Sequence, residues 1–300
     1  MSGGRSPVIG RLAPMLAQQT WAAWNLEPLQ LAPTVAAAVL YARRTTTLRR
    51  RGTPVAGWRQ ALFWTGIALV VLALNSPVDE LGEQHLFAFH MLQHVIIGDL
   101  APLCFVAGLT GPVLRPVLAL RGMNALRHLT HPLVALPIWA VNLYLWHVPV
   151  LYQAALHHDS IHALEHALFF TCGGLMWSPV LETLPAPAWF GTGMKMGYIA
   201  AVRVLETVIG NVFIWTSSPF YPWYEHARPF WGISAVHDQN LAGVVMMAEG
   251  SLVTLGALAW LFLRLAAEGE LRQELLEQGL DPTQVARAVR YGRGSELRAR

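Results

Sequence analysis

Long apolar runs separated by short polar loops dominate the chain. A membrane-crossing helix needs about 20 mostly apolar residues, and seven stretches read as spans: Leu29 to Ala42, Trp58 to Asn75, Gln84 to Leu109, Pro132 to Leu156, Ser160 to Glu182, Met194 to Thr216 and Val236 to Leu263. The first reaches full length only if it begins near Trp24. No soluble domain is inserted between the spans and no internal repeat is present. The pattern predicts an all-α fold, a polytopic membrane helix bundle with seven transmembrane helices over residues 1–265. A polar cytoplasmic tail, 266–300, is expected to form an amphipathic helix and then a basic end whose arginines, among them Arg287, Arg290, Arg293, Arg298 and Arg300, suit anionic lipid headgroups. Near the start, Val8 to Ala17 is interrupted by Arg11 and Pro14 and lacks the core of a cleavable signal peptide, so the first span is expected to act as the insertion signal.

Charge orients the bundle. The loop after the first span carries Arg43, Arg44, Arg49, Arg50, Arg51 and Arg59, and the loop after the third carries Arg115, Arg121 and Arg127. Lys195 follows the fifth span, and the C-terminal tail is arginine-rich. The opposite loops hold only Arg5, Arg11 and Arg228. Basic residues stay on the cytoplasmic side, so the N-terminus is expected outside and the C-terminus in the cytoplasm. Composition agrees: the 300 residues are 54% hydrophobic and 13% charged, with a mean hydropathy of +0.39, against about 25% charge in soluble domains. The net charge of +3 and pI near 9.1 are explained by arginines sorted into loops. The expected partner is therefore the lipid bilayer and not nucleic acid. Cys104 and Cys172 lie in apolar runs and read as inert buried thiols.

Histidines are the unusual feature. His90 and His94 sit four apart in the uncharged run Phe87 to Asp99, and His162 and His166 repeat that spacing. A four-residue step places both imidazoles on one helix face, and ionisable side chains inside a membrane are expensive and usually functional. The topology puts His94 about 15 Å, and His147 about 14 Å, along their helices from the outer ends. His90, His94, His147, His162, His166 and His237 thus fall in the outer half, from four spans, as candidate ligands of one metal. His85, His157, His158 and His226 read as interfacial, and His128 and His131 as loop residues of the inner side. Imidazole suits copper, zinc and iron. Met91, Met246 and Met247 read as packing, while Glu165 and Asp238 are placed to accept bonds from ligating imidazoles. Pro149, just after His147, should kink the fourth span and free a backbone carbonyl. The outer segment Ser217 to Val236 carries Phe220, Tyr221, Trp223, Tyr224, Phe230 and Trp231, read as an interfacial aromatic belt.

Asp99, Arg203, Glu206 and Glu249 also lie inside spans, with Arg203 and Glu206 spaced to pair on one helix face. Alternatives stay open on these residues: a membrane cytochrome with haem between His94 and His147, or a proton- or metal-coupled transporter using Asp99, Glu206 and Glu249. The pair His162 and His166 lacks the zinc-protease glutamate, since Ala163 follows the first histidine. No nucleophile elbow, phosphate loop, Cys-x-x-Cys pair or dinucleotide fingerprint appears, and no catalytic residue is assigned.

Three stretches carry a family resemblance: His90-Met-Leu-Gln-His94 with Ala101-Pro102; Leu145-Trp-His147-Val-Pro149 with Leu151-Tyr152; and His162-Ala-Leu-Glu-His166. With the outer aromatic segment and His237-Asp-Gln, the chain resembles the multi-span CtaG family of cytochrome c oxidase assembly factors. The resemblance implies a multi-pass protein of the bacterial cytoplasmic membrane that matures haem–copper oxidases. It implies copper as the metal, the six histidines above as the matching positions, and as partners an oxidase subunit and a copper donor chaperone.

Overall fold

A computed structural model describes residues 24–25, 28–121, 126–226 and 230–290, together with 292, 294 and 297. The basic positions Arg5, Arg11, Arg228, Arg293, Arg298 and Arg300 lie outside the described residues. Helices carry the chain and no strand occurs among the described residues. In order they are α1 (Pro28–Arg50), α2 (Gly57–Asn75), α3 (Pro77–Gln84), α4 (Phe87–Val95), α5 (Ala101–Gly108), α6 (Gly111–Leu118), α7 (Leu126–Leu129), α8 (Pro132–Trp146), α9 (Pro149–His157), α10 (Asp159–Leu181), α11 (Thr192–Trp215), α12 (Pro222–His226), α13 (Ala235–Glu277) and α14 (Pro282–Arg290).

Among the described residues four stretches are long and apolar enough to cross a membrane: α2, the continuous Phe87–Gly108 helix that joins α4 and α5, α11 and α13. A fifth arises if α8 and α9, bent by 72° at their junction, count as one broken span. The other two expected spans fall on α1 and α10, each of 23 residues. Large apolar side chains point outward along the bundle, including Leu133 at 69%, Val150 at 76% and Leu252 at 74% exposure, the inverse of a water-facing surface.

Two local features shape the interior. Between α4 and α5 the helix widens into a π-turn at Ile96–Leu100. Pro102 lacks an N–H and its ring clashes with the carbonyl four residues back, that of Gly98; the wider turn relieves both and turns Asp99 into the core. Gly98 also meets α10: a Cβ on Gly173 would lie 2.0 Å from the Gly98 carbonyl oxygen, so only glycine lets α10 approach this closely. The second feature is the α8–α9 break. His147 caps α8, Pro149 opens α9, the break expected at Pro149, and the His147 carbonyl, left outside both helices, accepts a bond from the Tyr221 hydroxyl at 2.9 Å.

The core is aromatic at the histidine end. Phe87 packs edge-on against Tyr152 and Phe213, with centroids 5.6 and 5.1 Å apart, and Tyr152 stacks on Tyr221 at 4.0 Å. Helix α13 runs unbroken for 43 residues, about 64 Å, twice the hydrocarbon thickness. Its far end pairs with α14 around Leu275, Val285 and Val289.

Candidate metal centre

Helices α4 and α10 meet histidine to histidine. One ring nitrogen from each of His90, His94, His162 and His166 lies within 4.8 Å of all the others. All four residues are buried, His90 completely. Their four-residue spacing aligns each pair on its own helix face, and the Gly98–Gly173 contact below holds the two helices close.

The hydrogen bonds fix which nitrogens are free. A carbonyl oxygen can only accept, so the Tyr224 hydroxyl donates to Gly82 O at 2.8 Å. The 3.3 Å contact between that hydroxyl and His90 Nδ1 then requires His90 Nδ1–H as donor. His162 Nδ1 faces Glu83 Oε1 at 3.0 Å and donates likewise. His90 and His162 thus present bare Nε2 atoms to each other's neighbours. This is the arrangement of metal-ligating imidazoles, whose second nitrogen is tied to an oxygen. His90 Nε2 lies 2.8 Å from His94 Nε2, and a proton on the latter completes that bond in the metal-free protein. His162 Nε2 and His166 Nε2 are buried with no hydrogen-bond partner among the described residues. Buried imidazole nitrogens without partners cost free energy, and a metal ion would satisfy them, so the donor set could hold a metal ion.

Glu165, fully buried on α10, places Oε1 3.7 Å from His94 Nε2, beyond hydrogen-bond reach. A carboxyl here can balance part of a cation's charge in low dielectric. On α3, outside the spans, Asp79 accepts from Gln93 at 2.5 Å. Burial first, and then the negative Glu83, push its carboxyl up to about 7, against the pull of the Gln93 bond and His162.

Other expected residues fall elsewhere. His147 stands beside the cluster, its ring centroid 6.5 Å from that of His94. Its Nδ1 donates to Leu143 O at 2.6 Å and its Nε2 is unpartnered. His237 is exposed on the first turn of α13. Among the described residues Asp238 bonds no imidazole, contrary to its sequence-based role: it caps α4, accepting from Phe87 N at 2.7 Å and Ala88 N at 3.0 Å, because a helix start leaves donors unsatisfied. The aromatic segment Ser217 to Val236 is also more than the expected belt. Tyr221 and Tyr224 are buried because their hydroxyls find backbone carbonyls inside, and Trp223 Nε1 reaches Glu83 O at 2.8 Å. His85 is half-buried, His157 and His158 are exposed, and His226 has no described side chain.

Below the histidines a cavity of about 40 Å³ is lined by His94, His147, Asp99, Glu206, Glu249 and Met246. It holds about one water and no porphyrin, which argues against haem between His94 and His147. Trp177 Nε1 donates to Asp99 at 2.5 Å. Arg203 reaches Glu206 at 3.9 Å, as their spacing predicts, and also Ser251 Oγ at 2.8 Å and Met247 O at 3.1 Å.

The fold and this centre define an all-helical protein with membrane-length apolar helices and a buried four-histidine site. Residues 39–268 match the family described as cytochrome c oxidase caa3 assembly factor (Caa3_CtaG), and the chain belongs to that family. It is also similar to uncharacterized proteins of Mycobacterium bovis and Mycobacterium tuberculosis, each 25% identical over 239 residues. Those matches cover 73% of this chain but only 36% of each relative, so the chain spans about a third of the length of the curated relatives it matches. No solved structure matches the chain.

Proposed function

We propose that this protein is a copper-handling assembly factor for cytochrome c oxidase, holding one copper ion on His90, His94, His162 and His166 before its insertion into the oxidase catalytic subunit. The observation that carries this is the convergence of four buried ring nitrogens within 4.8 Å, in a chain of an oxidase assembly family. Copper is cargo here, so the residues must bind and then release it. Tyr224 and Glu83 hold His90 and His162 with Nε2 bare. His94, tied to His90 Nε2 in the metal-free protein, surrenders that bond on loading. Glu165 balances charge. His147, with Nε2 free at the cavity wall, and His237, at the surface, serve loading or release outside the four-nitrogen set. No step needs turnover, and the protein is not an enzyme.

Seven spans with the N-terminus outside, in a bacterial cytoplasmic membrane, complete the reading. Helices α1 and α10 fill the two spans beyond those that pass on length and composition. The arginines of α1 and α6 stand at the opposite end of Phe87–Gly108 from the histidines, about 21 Å from His94 to Gly108. The histidine site then opens toward the outer surface beneath α3 and α12, where an oxidase subunit and a donor chaperone would dock. A second reading rests on the cavity: Asp99, Glu206 and Glu249 beside His94 suit a proton- or metal-coupled transporter.

The test is copper content of detergent-purified protein beside maturation of the oxidase in cells, for the wild type and His90→Ala/His94→Ala. Loss of both copper and mature oxidase in the variant supports the proposal. Copper uptake into sealed vesicles, lost in Glu249→Gln, would favour the transporter.

A further inference from the structure

The arginine-bearing end of the bundle contains a built pocket. A cavity of about 640 Å³ is lined by Arg44 and Arg51 at the end of α1, Arg115 on α6 and Arg127 on α7, with Leu48, Pro112 and Leu118 among its other walls. It lies within the usual size range of ligand sites, about 300–1,000 Å³. Among the described residues no acidic side chain lines it. Arg44 is fixed by two bonds to Pro112 O, from Nε at 3.1 Å and Nη2 at 2.7 Å. Among the described residues Arg51, Arg115 and Arg127 form no ion pair. Four cations gathered without a counter-charge repel one another, and a bound anion relieves that repulsion.

The surroundings name the kind of anion. Leu40, Arg44 and Leu48 follow one another at four-residue steps on a single face of α1. Leu40 is 66% exposed, and near the opposite wall Val117 and Leu120 are 43% and 62% exposed. Basic groups therefore sit at the end of an apolar surface, so that a headgroup among the arginines leaves its acyl chains against Leu40, Val117 and Leu120. Free inorganic phosphate would use the arginines but leave this apolar rim uncovered. We propose that the Arg44–Arg51–Arg115–Arg127 pocket binds one anionic phospholipid, with phosphate among the guanidinium groups and acyl chains on the adjoining apolar rim. This site is independent of the histidine centre and of any copper.

The test is native mass spectrometry of the full, delipidated chain in detergent, titrated with phosphatidylglycerol, phosphatidylcholine or sodium phosphate. Phosphatidylglycerol is expected to give a saturable first binding event that phosphatidylcholine does not compete for. Arg115→Gln/Arg127→Gln should weaken it about 30-fold, the loss that two near-surface arginines carry. Arg49→Gln/Arg50→Gln removes the same charge from the same end without touching the pocket, and should weaken it several-fold less. Arg127→Gln alone, an exposed change on a four-residue helix, gives the same direction if the double variant does not fold. Equal binding of the two lipids, equal losses in the two double variants, or phosphate displacing the lipid at matching affinity would each overturn the proposal.

Discussion

The Tyr224 hydroxyl lies 3.3 Å from His90 Nδ1 while donating to Gly82 O at 2.8 Å. A residue of α12 thereby sets the tautomer of a histidine on α4, leaving Nε2 bare toward the other three imidazoles. Phenylalanine at 224 keeps the ring packing and removes the orienting oxygen. Such outer partners are worth about 10–100-fold in metal affinity. Tyr224→Phe should lose copper affinity in that range with helicity unchanged, measured by competition with a chromophoric chelator. Wild-type affinity would refute the orienting role.

Gly173 faces the Gly98 carbonyl so closely that a Cβ would lie 2.0 Å from its oxygen. Gly173→Ala must push α10 from the π-turn, an overpacking cost of about 1–3 kcal/mol, and spread the two histidine pairs. A lower melting temperature together with weaker copper binding is expected. An alanine variant that melts and binds like the wild type would show that the two helices can adjust without cost.

Asp238 caps α4 through Phe87 N and Ala88 N. Removing it in Asp238→Ala should destabilise the protein by about 1–2 kcal/mol and loosen His90, three residues into the helix. Hydrogen exchange would detect this first as faster exchange at the start of α4. Unchanged protection there would place the capping load elsewhere.

The pH dependence follows from Asp79. Its carboxyl is raised from 3.8 to about 7 in the folded protein by burial and then by Glu83. The folded state therefore favours the protonated form. The stabilisation is fully present below about pH 4 and is lost as pH rises through about 7. Thermal stability should fall between about pH 4 and pH 7 and level off above it, and Asp79→Asn, which keeps an acceptor for Gln93, should flatten that fall. A variant with the same slope as the wild type would assign the transition to another group.

Some of this was legible in the chain and some was not. Apolar runs foretold helices and a membrane setting, and the repeated four-residue step picked out His90, His94, His162 and His166, because period alone puts such pairs on one face. The resemblance to the CtaG family holds over most of the chain. Spacing within a helix says nothing of distance between helices, so it could not separate His147 and His237 from the four that converge. Tyr224 and Glu83 were missed as orienting groups because their role depends on loop and α3 folding over the bundle. Asp238 reads in the sequence as an acceptor for a ligating imidazole, whereas the bare N–H groups opening α4 claim it. The π-turn had a signal, Pro102 four residues after Gly98 in the interior of the span Gln84 to Leu109, but a proline inside a helix reads equally as a plain kink. The helix of α13 continuing past Leu263 reflects helix formers such as Glu268, Leu271 and Leu275, which a hydropathy cut ignores.

The central claim is that four imidazoles from two helices hold one copper ion. Copper analysis of purified, copper-loaded protein tests it directly, with wild type, His162→Ala/His166→Ala and His147→Ala compared after gel filtration. One equivalent per chain in the wild type and in His147→Ala, and none in the double variant, is the expected result. Equal copper in all three proteins would contradict it.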